Sequence, residues 1–82
     1  MKVLPLHPGV QRYLEARKLR RKFEKQKALF EQNPFHRSLY TELLEPRAMR
    51  VWSFRVDRKY RALFIFRDAT EVEVIDVNNH YQ

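Results

Sequence analysis

The stretch "VWSFRVDRKYRALFIF", residues 51–66, constrains the fold of this chain more than any other. Aromatic and β-branched residues recur at alternate positions on either side of a polar tripeptide, Asp57, Arg58 and Lys59, the pattern of two strands with one face buried. Side chains alternate strictly along a strand, so the length of the connecting turn decides which residues share a face. A three-residue turn pairs Val56 with Tyr60 and gathers Trp52, Phe54, Val56, Tyr60, Ala62, Phe64 and Phe66 on one side. A two-residue turn scatters the same rings over both sides. The odd loop, carrying a bulge, is therefore expected. After "RDAT", the run "EVEVIDV" supplies a third strand and completes an antiparallel meander.

Such a sheet needs a cover for its aromatic face, and the first part of the chain provides one. No residue from Gly9 to Gln32 breaks a helix, yet Val10, Tyr13 and Leu14 lie on a stripe displaced from that of Leu19, Phe23 and Phe30. The slip predicts two helices, or one bent near Lys18, with their apolar sides toward the sheet. Val3, Leu4 and Leu6 suit a short first strand, and "HPGV" a turn with a proline at the helix start. Asn33 and Pro34 end the second helix. Residues 35–50 read as a loop with one short helical turn around Leu39 to Leu44. The predicted architecture is α+β, two N-terminal helices packed on one face of a small antiparallel sheet, in one domain over residues 1–82. A chain this short buries only about 60% of its unfolded surface, and six Phe, four Tyr and one Trp provide dense core material.

Charge divides the chain. Residues 1–50 hold 12 Lys and Arg against 5 Glu, whereas residues 51–82 balance 5 against 5, so the net charge of +7 belongs to the first part. That asymmetry suits a polyanionic partner, nucleic acid first and acidic protein second. The absence of cysteine excludes disulfide frameworks, thiolate zinc sites and thiol catalysis. No run approaches the ~20 apolar residues of a membrane span, and a soluble protein of the cytoplasm, without a membrane partner, is expected.

The preferred hairpin register sets Arg55 directly opposite Arg61, an unfavourable facing of like charges. Two remedies are open. Asp76 or Glu73 on the third strand supplies a neutralising carboxylate, or the pair awaits a phosphate that two guanidinium forks hold bidentately. The run "RKLRRKFEKQK" adds seven basic residues between Arg17 and Lys27; it reads as a solvated helix face, a contact for nucleic-acid backbone, or a dock for an acidic protein. Trp52 is most simply core, and His36 an ordinary loop histidine. A metal site from His36, Asp76 and His80 lacks a recognisable ligand spacing, and no metal or cofactor is inferred. Alternation continued through "NNHYQ" puts Tyr81 on the arginine side and His80 on the other, but Asn78 and Asn79 are turn formers that re-aim both rings.

Taken together, "NPFHRSL", "ELLEP", "SFRVDRKYRALFIF" and the terminal "IDVNNHYQ" resemble the RelE/ParE superfamily of bacterial type II toxin–antitoxin toxins. The likeness covers most of the chain. Its ribonuclease branch, the RelE-, YoeB- and HigB-like mRNA interferases, implies a RelE-like microbial RNase fold and a metal-independent endoribonuclease that cuts mRNA on the ribosome and inhibits translation. The ribose 2′-hydroxyl attacks the adjacent phosphate, so a base, cations for the phosphate and an acid for the 5′-oxygen are required. By the resemblance, Arg61 and Arg55 are the phosphate cations, His80 the acid or base, and Tyr81 the residue that stacks on or orients the RNA. Lys59, Arg58, His36, Arg37, Arg20, Arg21 and Lys25 are the candidate RNA contacts. A carboxylate expected before Leu39 is absent, with His36 and Arg37 there and Glu42 the nearest carboxylate, beyond that leucine. The base stays open between His36 and His80, with weak activity as a third outcome. The partners implied are a cognate antitoxin, the ribosome and mRNA. A ParE-like DNA gyrase inhibitor and an inactive nucleic-acid-binding relative are the alternatives.

Overall fold

The computed structural model describes residues 1–79. The chain runs β1 (Lys2–Val3), α1 (Pro8–Ala16), α2 (Arg20–Gln32), a 3-10 turn at Arg37–Leu39, β2 (Glu42–Leu43), a second 3-10 turn at Arg47–Met49, then β3 (Trp52–Arg55), β4 (Arg61–Phe66) and β5 (Glu71–Asn78). One five-stranded sheet results, in the order β1-β5-β4-β3-β2. It has the expected α+β architecture with the predicted meander at its centre.

The odd turn is present. Trp52 pairs with Phe64, Phe54 with Ala62 and Arg55 with Arg61, while the amides of Val56 and Asp57 both donate to the Tyr60 carbonyl, at 3.0 and 3.2 Å. Two donors on one acceptor are the bulge that lets three residues close the hairpin. The rings consequently share one face, where Phe54 and Phe64 are fully buried against Phe23 and Phe30 of α2. The Phe30 centroid lies 5.1 Å from Phe54 and 5.0 Å from Phe64. Full burial of one such ring contributes roughly 1.5–3 kcal/mol, so these four carry much of the core. Trp52 extends the row toward the edge, edge-on to Phe66 and Phe35.

The displaced stripes correspond to two helices joined at Lys18, whose φ is 57°. The Leu19 amide returns to the Leu14 carbonyl at 2.8 Å and the Lys18 amide to Glu15 at 3.1 Å, a Schellman closure with a lysine where glycine is usual. Leu14 and Leu19 are both buried, which supplies the apolar contact that normally accompanies this motif.

Three details depart from expectation. β1 runs parallel to β5, pairing Lys2 with Glu71 and Val3 with Val72, so the sheet is mixed. The Leu39–Leu44 helical turn is displaced: the turn spans Arg37–Leu39, and Glu42–Leu43 is instead an edge strand paired with Ser53 and Trp52. A two-residue strand has no periodicity to read; an existing edge creates it. Third, β5 bulges. Leu63 pairs with Asp76 and Phe64 with Val74, leaving Ile75 without a partner on β4. The extra residue inverts the alternation, so Asn78 faces Arg61, whereas unbroken alternation assigns that side to Asn79. The placements expected for His80 and Tyr81 fall outside the described residues.

Two outcomes follow from these closures. Lys18→Gly removes the left-handed penalty of a residue with a Cβ, about 1–2 kcal/mol, and loses part of it to chain entropy; a net gain of about 0.5–1 kcal/mol is expected in urea denaturation. Burial alone raises the Asp57 carboxyl, but hydrogen bonds from the Tyr60 and Lys59 amides and the ion pair with Lys22 outweigh it and lower it below the usual carboxylate value. Its stabilisation is therefore complete above the unfolded value near 3.9 and lost as pH falls through the lower folded one. Asp57→Asn is expected to cost about 1 kcal/mol at neutral pH, with melting temperatures of variant and wild type converging below pH about 4.

Candidate active site

The face of the sheet turned away from the helices carries the arginines. Cross-strand pairing lines up Arg55, Arg61 and Asn78 in one row and Glu42, Ser53, Leu63 and Asp76 in the next. Facing residues in such rows have Cβ atoms ~5 Å apart. Each guanidinium group is held by a different part of Tyr40.

Tyr40 closes the first 3-10 turn in a left-handed conformation, φ 48° and ψ 45°. Its carbonyl accepts from Arg61 Nη2, and its ring lies under the Arg55 guanidinium, with Cζ 3.9 Å from the centroid. Arg61 Nε donates to Ser53 Oγ at 2.9 Å. Ser53 is fully buried and Arg61 only 6% exposed. Burial lowers the Arg61 guanidinium from its ordinary value; Glu42 opposes that shift and Arg55 adds to it. A guanidinium stays protonated in a protein regardless, so the result is a buried cation held in place.

A carboxylate whose charge acts on Arg61 is Glu42 of β2, where the sequence pointed to Asp76 or Glu73. Glu73 is taken by His7 and Arg67, and Asp76 binds the Asn78 amide group at 2.8 Å and the Val77 amide at 2.9 Å. Register explains the difference: Asp76 and Glu73 pair with Leu63 and Ile65, not with arginine.

Gln26 secures the site from beneath. This buried α2 side chain donates to the Arg55 carbonyl at 2.8 Å and to the Ser38 carbonyl at 3.3 Å, tying the end of β3 to the turn that delivers Tyr40. Glu42, Tyr40, Ser53 and Gln26 were not among the candidate residues read from the sequence. The signal for Ser53 and Gln26 was a polar residue inside an apolar pattern.

The other predicted residues are spread more widely. Lys59 and Arg58 are exposed in the β3–β4 turn, and Arg37 is exposed in the first 3-10 turn. His36 caps that turn, Nδ1 accepting from the Ser38 amide at 3.1 Å, which leaves Nε2 as the proton-bearing nitrogen of the neutral ring. Arg20 pairs with Glu15 and Glu24, while Arg21 and Lys25 are exposed on α2. Since the apolar side of α2 packs on the ring-bearing face, its basic side and the arginine row belong to opposite sides of the sheet. Two hollows are lined by described residues. One, of about 430 Å³, is lined by Met49, Arg50, Trp52, Ile65 and Phe66. The other, of about 330 Å³, lies along the end of β5 between Asn78, Asp76, Tyr13 and Arg17. Among the described residues, no cluster of His, Asp and Glu is arranged to hold a metal ion, and no helix is long and apolar enough to cross a membrane.

No family model and no curated protein matches the chain. Among solved structures, the YoeB/ParE toxin from Agrobacterium tumefaciens superposes with a TM-score of 0.72 over 99% of this chain and 100% of its own, at 18% identity. The two share a fold.

The buried Arg61–Ser53 bond yields a direct test. Ser53→Ala deprives a buried guanidinium of an acceptor, and a loss of about 1–3 kcal/mol in unfolding free energy is expected, measured by chemical denaturation.

Proposed function

We propose that this protein is the toxin of a type II toxin–antitoxin pair and that it cleaves mRNA on the ribosome. The observation that carries the reading is the opposed Arg55–Arg61 pair with the charge of Glu42 acting on Arg61, on a fold shared with the YoeB/ParE toxin. Two cations with a carboxylate beside them suit metal-free transesterification of RNA.

In this reading Glu42 takes the proton from the ribose 2′-hydroxyl. The oxygen attacks the adjacent phosphorus, the bond from phosphorus to the 5′-oxygen breaks, and a 2′,3′-cyclic phosphate forms. Arg55 and Arg61 offset the charge that accumulates on the phosphoryl oxygens, Arg61 as a clamped cation and Arg55 as the more accessible fork. His80 protonates the departing 5′-oxygen and Tyr81 orients the RNA. Glu42 fills the role of base that the loop sequence left open between His36 and His80.

The half-buried Arg55 lies beside the exposed Tyr40 ring, a surface that suits a macromolecular substrate. Arg58, Lys59, Arg37 and His36, with Arg20, Arg21 and Lys25 of α2, contribute RNA contacts that give affinity and steering rather than sequence specificity. A cognate antitoxin restrains the protein in the cytoplasm until it is removed.

The test is cleavage of mRNA by purified protein on programmed ribosomes, read by primer extension and by detection of the cyclic phosphate. Arg61→Ala, His80→Ala and Glu42→Gln are each expected to reduce the rate about 10²-fold or more with the fold retained by circular dichroism. Intact mRNA with double-strand DNA breaks after induction in cells would instead indicate a ParE-like gyrase inhibitor.

A further inference from the structure

The core consumes most of the aromatic residues, but Tyr40 is 58% exposed. Its backbone does not call for a tyrosine. A φ of 48° favours glycine or asparagine, and a residue with a Cβ there bears a penalty that persists where the side chain has a use. The carbonyl that accepts from Arg61 is common to every residue type. What tyrosine alone adds is the ring.

That ring is already oriented. The Arg55 guanidinium covers one side at 3.9 Å, an attractive cation–π contact, yet more than half of the residue stays exposed. The same residue binds Arg61 through its carbonyl. Tyr40 thus touches both cations of the proposed phosphate site and offers a flat π-surface beside them, held at Ser38 and Arg55 by Gln26.

We infer that the Tyr40 ring is a nucleobase subsite, stacking a base of the RNA strand next to the phosphate held by Arg55 and Arg61. Every base has a π-face, so the subsite is sequence-tolerant and favours the larger purines through stacking strength. Arg55 backs the ring and contacts the phosphate side of the same nucleotide. This inference rests on the ribonuclease reading above and adds a residue that the resemblance did not assign.

The experiment uses the full-length protein on programmed ribosomes, with mRNAs carrying a single abasic nucleotide on either side of the cut. Tyr40→Gly retains the left-handed backbone and the carbonyl for Arg61 while removing the ring; Tyr40→Phe retains the ring. Tyr40→Phe is expected to cut near the wild-type rate. Tyr40→Gly is expected to lose about tenfold or more in kcat/KM, with a melting temperature equal to or above that of wild type. An abasic nucleotide at one of the two positions is expected to slow wild type by a similar factor and to leave Tyr40→Gly unaffected further. Equal sensitivity of wild type and Tyr40→Gly to both abasic substrates, or full activity of Tyr40→Gly on intact mRNA, overturns the subsite and leaves the ribonuclease reading standing. Absence of cleavage by wild type on every substrate overturns both.

Discussion

Three residues, Asp57 to Lys59, set the parity of the β3–β4 hairpin, and the core and the candidate site both descend from that parity. With an odd connection and a bulge at Tyr60, Phe54, Val56, Ala62 and Phe64 fall on one face and are buried. The other face then receives Arg55 and Arg61 in direct opposition. A one-residue change in this turn would flip one strand against the other, scattering the rings over both faces and parting Arg55 from Arg61. The hydrophobic effect thereby enforces a like-charge pair that electrostatics alone disfavours.

The pair is tolerable because the surrounding chain solvates it with oriented groups. Ser53 Oγ and the Tyr40 carbonyl take Arg61, the Tyr40 ring takes Arg55, and Glu42 adds opposing charge. The result is a rigidly held arginine pair with a carboxylate beside it, and in the proposed reading such fixed charge suits a phosphate better than flexible surface lysines. The basic side of α2 lies across the sheet, so the protein has two cationic surfaces with different construction. One is clamped by hydrogen bonds and the Tyr40 ring; the other is a solvated helix face whose effect declines with salt.

Much of the fold was legible because it rests on local periodicity. The meander, the break at Lys18 and the odd turn each followed from residues close in sequence. The parallel pairing of β1, the two-residue β2 and the bulge at Ile75 were not legible, since no short window contains the partner that makes them. The bulge had the larger consequence: it moved Asn78 onto the arginine row and set Asp76 opposite Leu63.

By itself the sequence determined the element types, the parity of the hairpin and so the facing of Arg55 and Arg61, because alternation along a strand and turn length are properties of neighbouring residues. Only the tertiary structure decided what surrounds them. Gln26 reaches Arg55 across 29 residues and Arg61 reaches Tyr40 across 21, and Glu42 enters the site through an edge strand that exists only by pairing with β3. Such contacts form because buried polar groups must find partners once the core has closed, and which partners are in reach is settled by the packing of whole elements.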